Sequence, residues 1–122
     1  MKISGRSIRP FIGSKNYNIS RNFYTDLGFT EIITSEKMSY FHSREFGFYL
    51  QDAYVKDWID NSMIFLEVEN VESTLRFIES LALTETYENV RLSKIVFNDW
   101  GQEFFLHDPS GILWHFGNFN TN

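Results

Sequence analysis

No cysteine occurs among the 122 residues. A disulfide framework, a thiolate metal site and a thiol nucleophile are therefore excluded. Basic charge is scarce as well: eleven Lys and Arg stand against sixteen Asp and Glu, for a net charge of −5 and a pI near 5.1. That balance lacks the electrostatic footprint of a nucleic-acid binder and leans towards a cationic partner. No apolar run is long enough to cross a bilayer, and the N-terminus has no signal-type apolar block. A cytoplasmic protein without a membrane partner is expected. Aromatic residues, by contrast, make up 18% of the chain, with 13 Phe. Some of these rings are expected outside the core, lining a pocket or a subunit interface. The length suits one domain over residues 1–122, with a core that needs no covalent staple.

Local patterns alternate between strand and helix. Ser7 to Gly13 reads as a strand. Asn18 is suited to cap a helix from Ile19 to Leu27, whose Ile19, Phe23 and Leu27 fall four apart on one face. Gly28 supplies the stop. Thr30 to Ser35, Met38 to His42 and Phe46 to Gln51 read as strands separated by polar turns. Ala53 to Asn61 carries Lys56, Asp57, Asp60 and Asn61 and reads as a loop between two halves. Beyond it lie a strand from Met63 to Val68 and a helix capped by Asn70, with Val71, Leu75, Ile78 and Ala82 on one face. Two or three further strands end the chain. Each half, about 1–55 and 56–122, therefore reads as β-α-β-β-β, and the fold class is α+β.

The halves also match in sequence at an offset of 54. Phe11, Asn16 and Phe23 correspond to Phe65, Asn70 and Phe77; Leu27, Thr30 and Glu31 correspond to Leu81, Thr84 and Glu85. These matches fall on a strand aromatic, a helix cap, a helix face and the start of the next strand, which points to duplication of one module.

The most informative stretch runs from Asp99 to Phe116. Gln102 to His107 and Ile112 to Phe116 read as the arms of a hairpin. Asp108-Pro109-Ser110-Gly111 between them is turn chemistry, with Asp108 bonding forward to the backbone and Gly111 accepting positive φ. At the mouth, Trp100 beside Gly101 offers a platform for a flat ligand. Paired β-α-β-β-β modules, the run Phe23-Tyr24-Thr25-Asp26-Leu27-Gly28-Phe29 and the Trp100-Gly101-Gln102-Glu103-Phe104…Asp108-Pro109-Ser110-Gly111 hairpin resemble the vicinal oxygen chelate superfamily. Within it, the chain is most similar to the bleomycin resistance proteins.

The superfamily's metal-binding members hold a divalent ion on side chains from the first and last strands of each module. The resemblance carries those positions onto Arg9, Tyr49, Met63 and His115. Arg repels a cation, Met is a poor ligand for Mg, Zn or Fe, and a single His does not make a site. No metal and no cofactor are expected. The period of two along each strand places Phe11, Phe65, Glu67, Leu113 and Gln51 on the same side as those four. Ile8, Ile12, Ile64, Leu66, Val68, Trp114 and Phe116 fall opposite, suited to packing under helices. The first set describes an aromatic cleft with a few polar groups, fit for a flat or cationic ligand.

A bleomycin resistance protein, as the resemblance implies, is a homodimer that exchanges its N-terminal strand, with Pro10 lying in that strand. It holds the drug stoichiometrically, without catalysis, in clefts at the subunit interface. Trp100 matches an aromatic of the drug cleft, and Ile32, Ile33 and Met38 fall on other drug-contact positions. The expected ligand-binding set is thus Trp100, Met38 and Ile33 from the resemblance, with Tyr49, Gln51, Met63, Phe65 and His115 on the cleft side of the strands. Asp60 and Asn61 of the linker and Gly111 of the hairpin turn complete it. The expected function is metal-free sequestration of a bleomycin-like or other flat cationic compound. A metal-dependent glyoxalase- or dioxygenase-like enzyme of the same superfamily is the alternative, and a structural or regulatory dimer a third.

Overall fold

The computed structural model describes residues 1–121. Its elements are β1 (Phe11–Ile12), α1 (Tyr17–Leu27), β2 (Thr30–Ser35), β3 (Met38–Ser43), β4 (Phe46–Gln51), α2 (Lys56–Asp60), β5 (Met63–Glu67), α3 (Val71–Ser80), α4 (Leu83–Thr86), β6 (Arg91–Leu92), β7 (Val96–Asn98), β8 (Gly101–His107) and β9 (Leu113–Phe119). They form two sheets, ordered β1-β4-β3-β2 and β5-β9-β8-β6, with β7 also paired to β8. In each sheet the opening strand lies parallel to the last strand of its module: Phe11 faces Tyr49 in the first, and Phe65 faces His115 in the second. The α+β architecture of two βαβββ modules is thus present. No helix among the described residues is long and apolar enough to cross a membrane.

Both modules start their helices in the same way. Asn16 Oδ1 accepts from the Ile19 amide at 3.1 Å, and Asn70 Oδ1 accepts from the Ser73 amide at 2.8 Å. Each side chain satisfies a first-turn donor that no helical carbonyl can reach. The cap of α1 is therefore Asn16 rather than Asn18, which lies inside the first turn and accepts from Arg21 Nη1 at 3.3 Å. Gly28 ends α1 with φ 115°.

The helix-covered faces of the two sheets share one core. Phe48 of β4 and Trp114 of β9 meet with ring centroids 5.3 Å apart. Tyr24 of α1 contacts both rings, at 4.9 and 5.7 Å. A polar network is sealed inside. Trp114 Nε1 donates to Tyr24 Oη at 2.9 Å, and Tyr24 Oη donates to Asp108 Oδ2 at 2.6 Å. The amides of Ser110, Gly111 and Ile112 all donate to Asp108 Oδ1 at 2.9 Å. Burial pushes the Asp108 carboxyl up, and the donated hydrogen bonds act against that rise. One turn residue thus forms the hairpin and ties it to the first module's helix.

Several sequence expectations are corrected. The strand over Ser7 to Gly13 shrinks to two residues, and Ile8, expected under a helix, is 93% exposed. Residues 1–10 have no sheet partner within the chain beyond the Tyr49 amide bonding to Pro10 O. The linker is not all loop, because Lys56–Asp60 forms α2. Its Ile59 is buried, which anchors the turn of helix. Thr84 and Glu85 lie in α4, so the repeat of Thr30 and Glu31 does not begin a strand. Helix α3 stops at Ser80, and Ala82 has φ 53° and caps α4 instead of extending the apolar face.

Candidate functional site

With their other faces joined in the core, the two sheets leave one open face per module. On the second module, β5, β9 and β8 carry Met63, Phe65, Leu113, His115, Glu103 and Phe105 to this face through their register. Phe65, Trp100 and Phe119 form a ring triangle with centroids 5.4 to 5.8 Å apart. They remain 42%, 38% and 52% exposed. Two glycines make this possible. A Cβ on Gly117 would meet Phe65 ring atoms at 2.7 and 3.0 Å, so the ring lies directly over the β9 backbone. A Cβ on Gly101 would meet Asn118 O at 1.9 Å, so only Gly lets the chain turn there and present Trp100.

Beside the triangle sits the only buried carboxylate of this face among the described residues. Glu103 Oε1 bonds His115 Nδ1 at 2.8 Å, and its Oε2 accepts from Asn98 Nδ2 at 2.9 Å. The His115 ring lies at 27° to Phe65 and edge-on to Phe105. A carboxylate at the edge of an aromatic floor suits a cation with a flat body. The strand period places His115 here, whereas its partner Glu103 is not among the expected site residues. Their pairing depends on the β8–β9 register, in which Glu103 opposes Gly117 and His115 opposes Phe105.

The first module's open face is built from Phe11, Tyr49 and Tyr40, which follow one another across β1, β4 and β3. Met38 pairs with Gln51 on the same side. Phe11 and Tyr49 stack at 4.7 Å, and Tyr40 stacks on His42 at 5.6 Å. The Arg9 guanidinium lies 4.2 Å over the Tyr40 ring and donates to Tyr49 Oη at 3.0 Å. Here too a ring covers a glycine: a Cβ on Gly47 would meet Tyr40 Cζ at 2.7 Å and Phe41 O at 2.5 Å.

The expected ligand set is therefore divided. Trp100, Phe65, Met63 and His115 share the second open face; Tyr49, Gln51 and Met38 share the first. Ile33 belongs to neither. It pairs with Ser39, which faces the helix side, and a register shift follows it before Ser35. Asp60 is held by Lys56 at 2.5 Å and Asn61 by the Asp57 carbonyl at 2.7 Å, both at the end of α2. Gly111, with φ 108°, serves the hairpin turn under Asp108.

The four positions that the resemblance assigns to a metal, Arg9, Tyr49, Met63 and His115, do not fit one here. Arg9 is a cation committed to Tyr40 and Tyr49, Met63 offers a soft thioether, and His115, whose Nε2 stays free while Nδ1 bonds Glu103, is a single ligand. No group of three or more His, Cys, Asp or Glu among the described residues is close enough together to hold an ion.

No protein-family model matches the chain, and no curated protein does. Solved structures do. A bleomycin-binding protein complexed with bleomycin superposes with a TM-score of 0.78 at 18% identity, over 93% of this chain and 98% of that one. The bleomycin-binding protein of Streptomyces verticillus, complexed with copper(II)-bleomycin, gives 0.80 at 14% identity, over 98% and 100%. A fosfomycin resistance protein from Listeria monocytogenes, complexed with Mn(II) and sulfate, gives 0.71 at 17% identity, over 98% and 93%. The chain shares the fold of these bleomycin-binding and fosfomycin resistance proteins.

Proposed function

We propose that the protein binds a flat, cationic small molecule of the bleomycin type without a metal and acts by sequestering it. The observation that carries this reading is the Phe65–Trp100–Phe119 floor with the Glu103 carboxylate at its edge. Rings exposed to this degree on one face offer stacking area, and the carboxylate offers a partner for a positive tail. The bleomycin complexes of the similar structures support the ligand class.

Each binding cleft is completed by a second copy. The two open faces lie on opposite sides of one shared core, so neither can close over a ligand within one chain. Residues 1–8, ahead of the Arg9 and Pro10 contacts with Tyr40 and Tyr49, are exposed throughout, including Ile3 and Ile8. Meanwhile β4, fully paired with β3 on one side, has a partner on its β1 side only at Tyr49 and Leu50, which leaves its Phe46–Phe48 stretch unpaired there. An apolar arm beside an open strand edge is the arrangement expected for strand exchange between two copies.

Calorimetric titration of the metal-free protein with bleomycin tests the proposal. Sub-micromolar binding of one drug per chain, lost in Trp100→Ala, is expected; no heat with the wild-type protein would refute bleomycin as the ligand. A second reading, an enzyme of this fold, is favoured by the Glu103–His115 pair, which resembles an acid–base couple. Mass analysis of the recovered ligand separates the two: sequestration returns it unchanged, and an enzyme returns a product.

A further inference from the structure

The first module's open face carries a second recognition element, one for negative charge. Two arginines in this molecule lie over tyrosine rings. Arg21 stands 5.4 Å from the Tyr17 ring, and its fork is filled: Nε and Nη2 reach the two oxygens of Glu31 at 2.6 and 3.2 Å. Arg9 stands closer to its ring, at 4.2 Å over Tyr40, with Nη1 tied to Tyr49 Oη. Among the described residues it has no carboxylate partner, although the chain carries sixteen Asp and Glu against eleven Lys and Arg.

We infer that Arg9, held by Tyr40 and Tyr49, is a subsite for a carboxylate on a flat ligand. Arg21 with Glu31 shows the occupied form of the same arrangement. A guanidinium held over a ring and tied by one N–H loses little freedom on binding and presents its remaining N–H groups to a planar carboxylate. Tyr40 itself is fixed by lying over Gly47, where a side chain would collide with it. The aromatic surface of Phe11, Tyr49 and Tyr40 receives the flat body next to the charge. This inference rests on the reading that a flat ligand occupies the open faces, and it sharpens the ligand class. A molecule spanning one copy's first module and the other copy's second module is amphoteric: its carboxylate meets Arg9 and its cationic end meets Glu103.

The test uses two fluorescent probes of equal shape, 1-pyrenecarboxylate and uncharged 1-pyrenemethanol, titrated into wild-type protein, Arg9→Gln, Arg9→Lys and Tyr49→Phe. The wild type is expected to bind the carboxylate about tenfold tighter than the alcohol, despite the protein's net negative charge. Arg9→Gln is expected to bind the two alike. Arg9→Lys keeps part of the preference, because it retains charge without the planar fork. Tyr49→Phe keeps the ring and loses the anchoring hydrogen bond, so it too lowers the preference. Equal binding of both probes by the wild type, or a preference that survives Arg9→Gln, overturns the subsite while leaving the aromatic face intact. Failure of both probes to bind overturns the face as a platform, and the subsite with it.

Discussion

The first module pairs only two residues of its opening strand, whereas the second pairs five. Around that difference the modules are close copies. Each helix is capped by Asn through the amide three residues on, and each open face lays an aromatic ring over a glycine, Tyr40 on Gly47 and Phe65 on Gly117. Their partners have diverged. Phe23 is fully buried, while the matching Phe77 is 50% exposed on α3. The first face holds a cation, Arg9, and the second an anion, Glu103. The modules thus share the devices that form each of them and differ in their edge strand and in the charge of their face. Those two differences are what the proposed cleft between copies requires.

The largest expected effect comes from cutting the bond that joins the modules. Asp108→Ala removes the acceptor of three backbone amides and of Tyr24 Oη. It should cost about 3 kcal/mol, read by urea unfolding, because buried donors are left unpaired. A single transition at lower denaturant is expected; two separate transitions would show that the modules fold independently.

The ring-bearing glycines come next and should separate the modules. Gly47→Ala forces a methyl against the Phe41 carbonyl as well as Tyr40, and backbone cannot move aside; about 2 kcal/mol of stability is expected to be lost. Gly117→Ala meets chiefly the Phe65 ring, which can swing outwards. It should cost about 1 kcal/mol and weaken ligand binding through the displaced ring. Equal stability losses would contradict the distinction.

The caps should behave as equals. Asn16→Ala and Asn70→Ala are each expected to lose about 1 kcal/mol in the same unfolding measurement. A large disparity would show that one helix is held by packing rather than by its cap.

The smallest effect belongs to the first module alone. The Arg21 guanidinium holds the Glu31 carboxyl below its ordinary value of 4.5, with Ser39 Oγ adding a hydrogen bond. A depressed carboxylate stabilises the fold above its unfolded pKa and loses that contribution as pH falls through the folded one. The wild type should therefore exceed Glu31→Gln by under about 1 kcal/mol at neutral pH, the side chains being partly exposed. The gap should close as the pH falls well below 4.5. A gap that widens on acidification would reverse the assignment.

Much of this architecture was legible in the sequence, and the exceptions share a cause. Helix faces, the Gly28 stop and the hairpin turn are local, so residue type and period reveal them. The offset of 54 gave the second Asn cap its partner in Asn16, although the nearer Asn18 reads as the cap when spacing alone is weighed. What stayed hidden depends on register and on distant chain. Glu103 meets His115 only through the β8–β9 pairing, Ile33 turns to the helix side because it opposes Ser39, and Arg9 finds Tyr40 across two strands. The seven-residue opening strand expected from Ser7 to Gly13 failed for a different reason: Phe11 and Ile12 find partners within the chain, but Ile8 and the residues before it do not.

Subunit complementation puts the shared cleft to its most direct test. Trp100→Ala disables the second face and Tyr49→Ala the first, so each homogeneous variant should fail to bind bleomycin. A purified mixed dimer of the two chains contains one cleft with both faces intact and one with both faces disabled. Titration of that mixed dimer should recover wild-type affinity at one drug per two chains. A mixed dimer that binds no better than its parents would contradict the account, because it would mean that no cleft is built from the first module of one copy and the second module of the other.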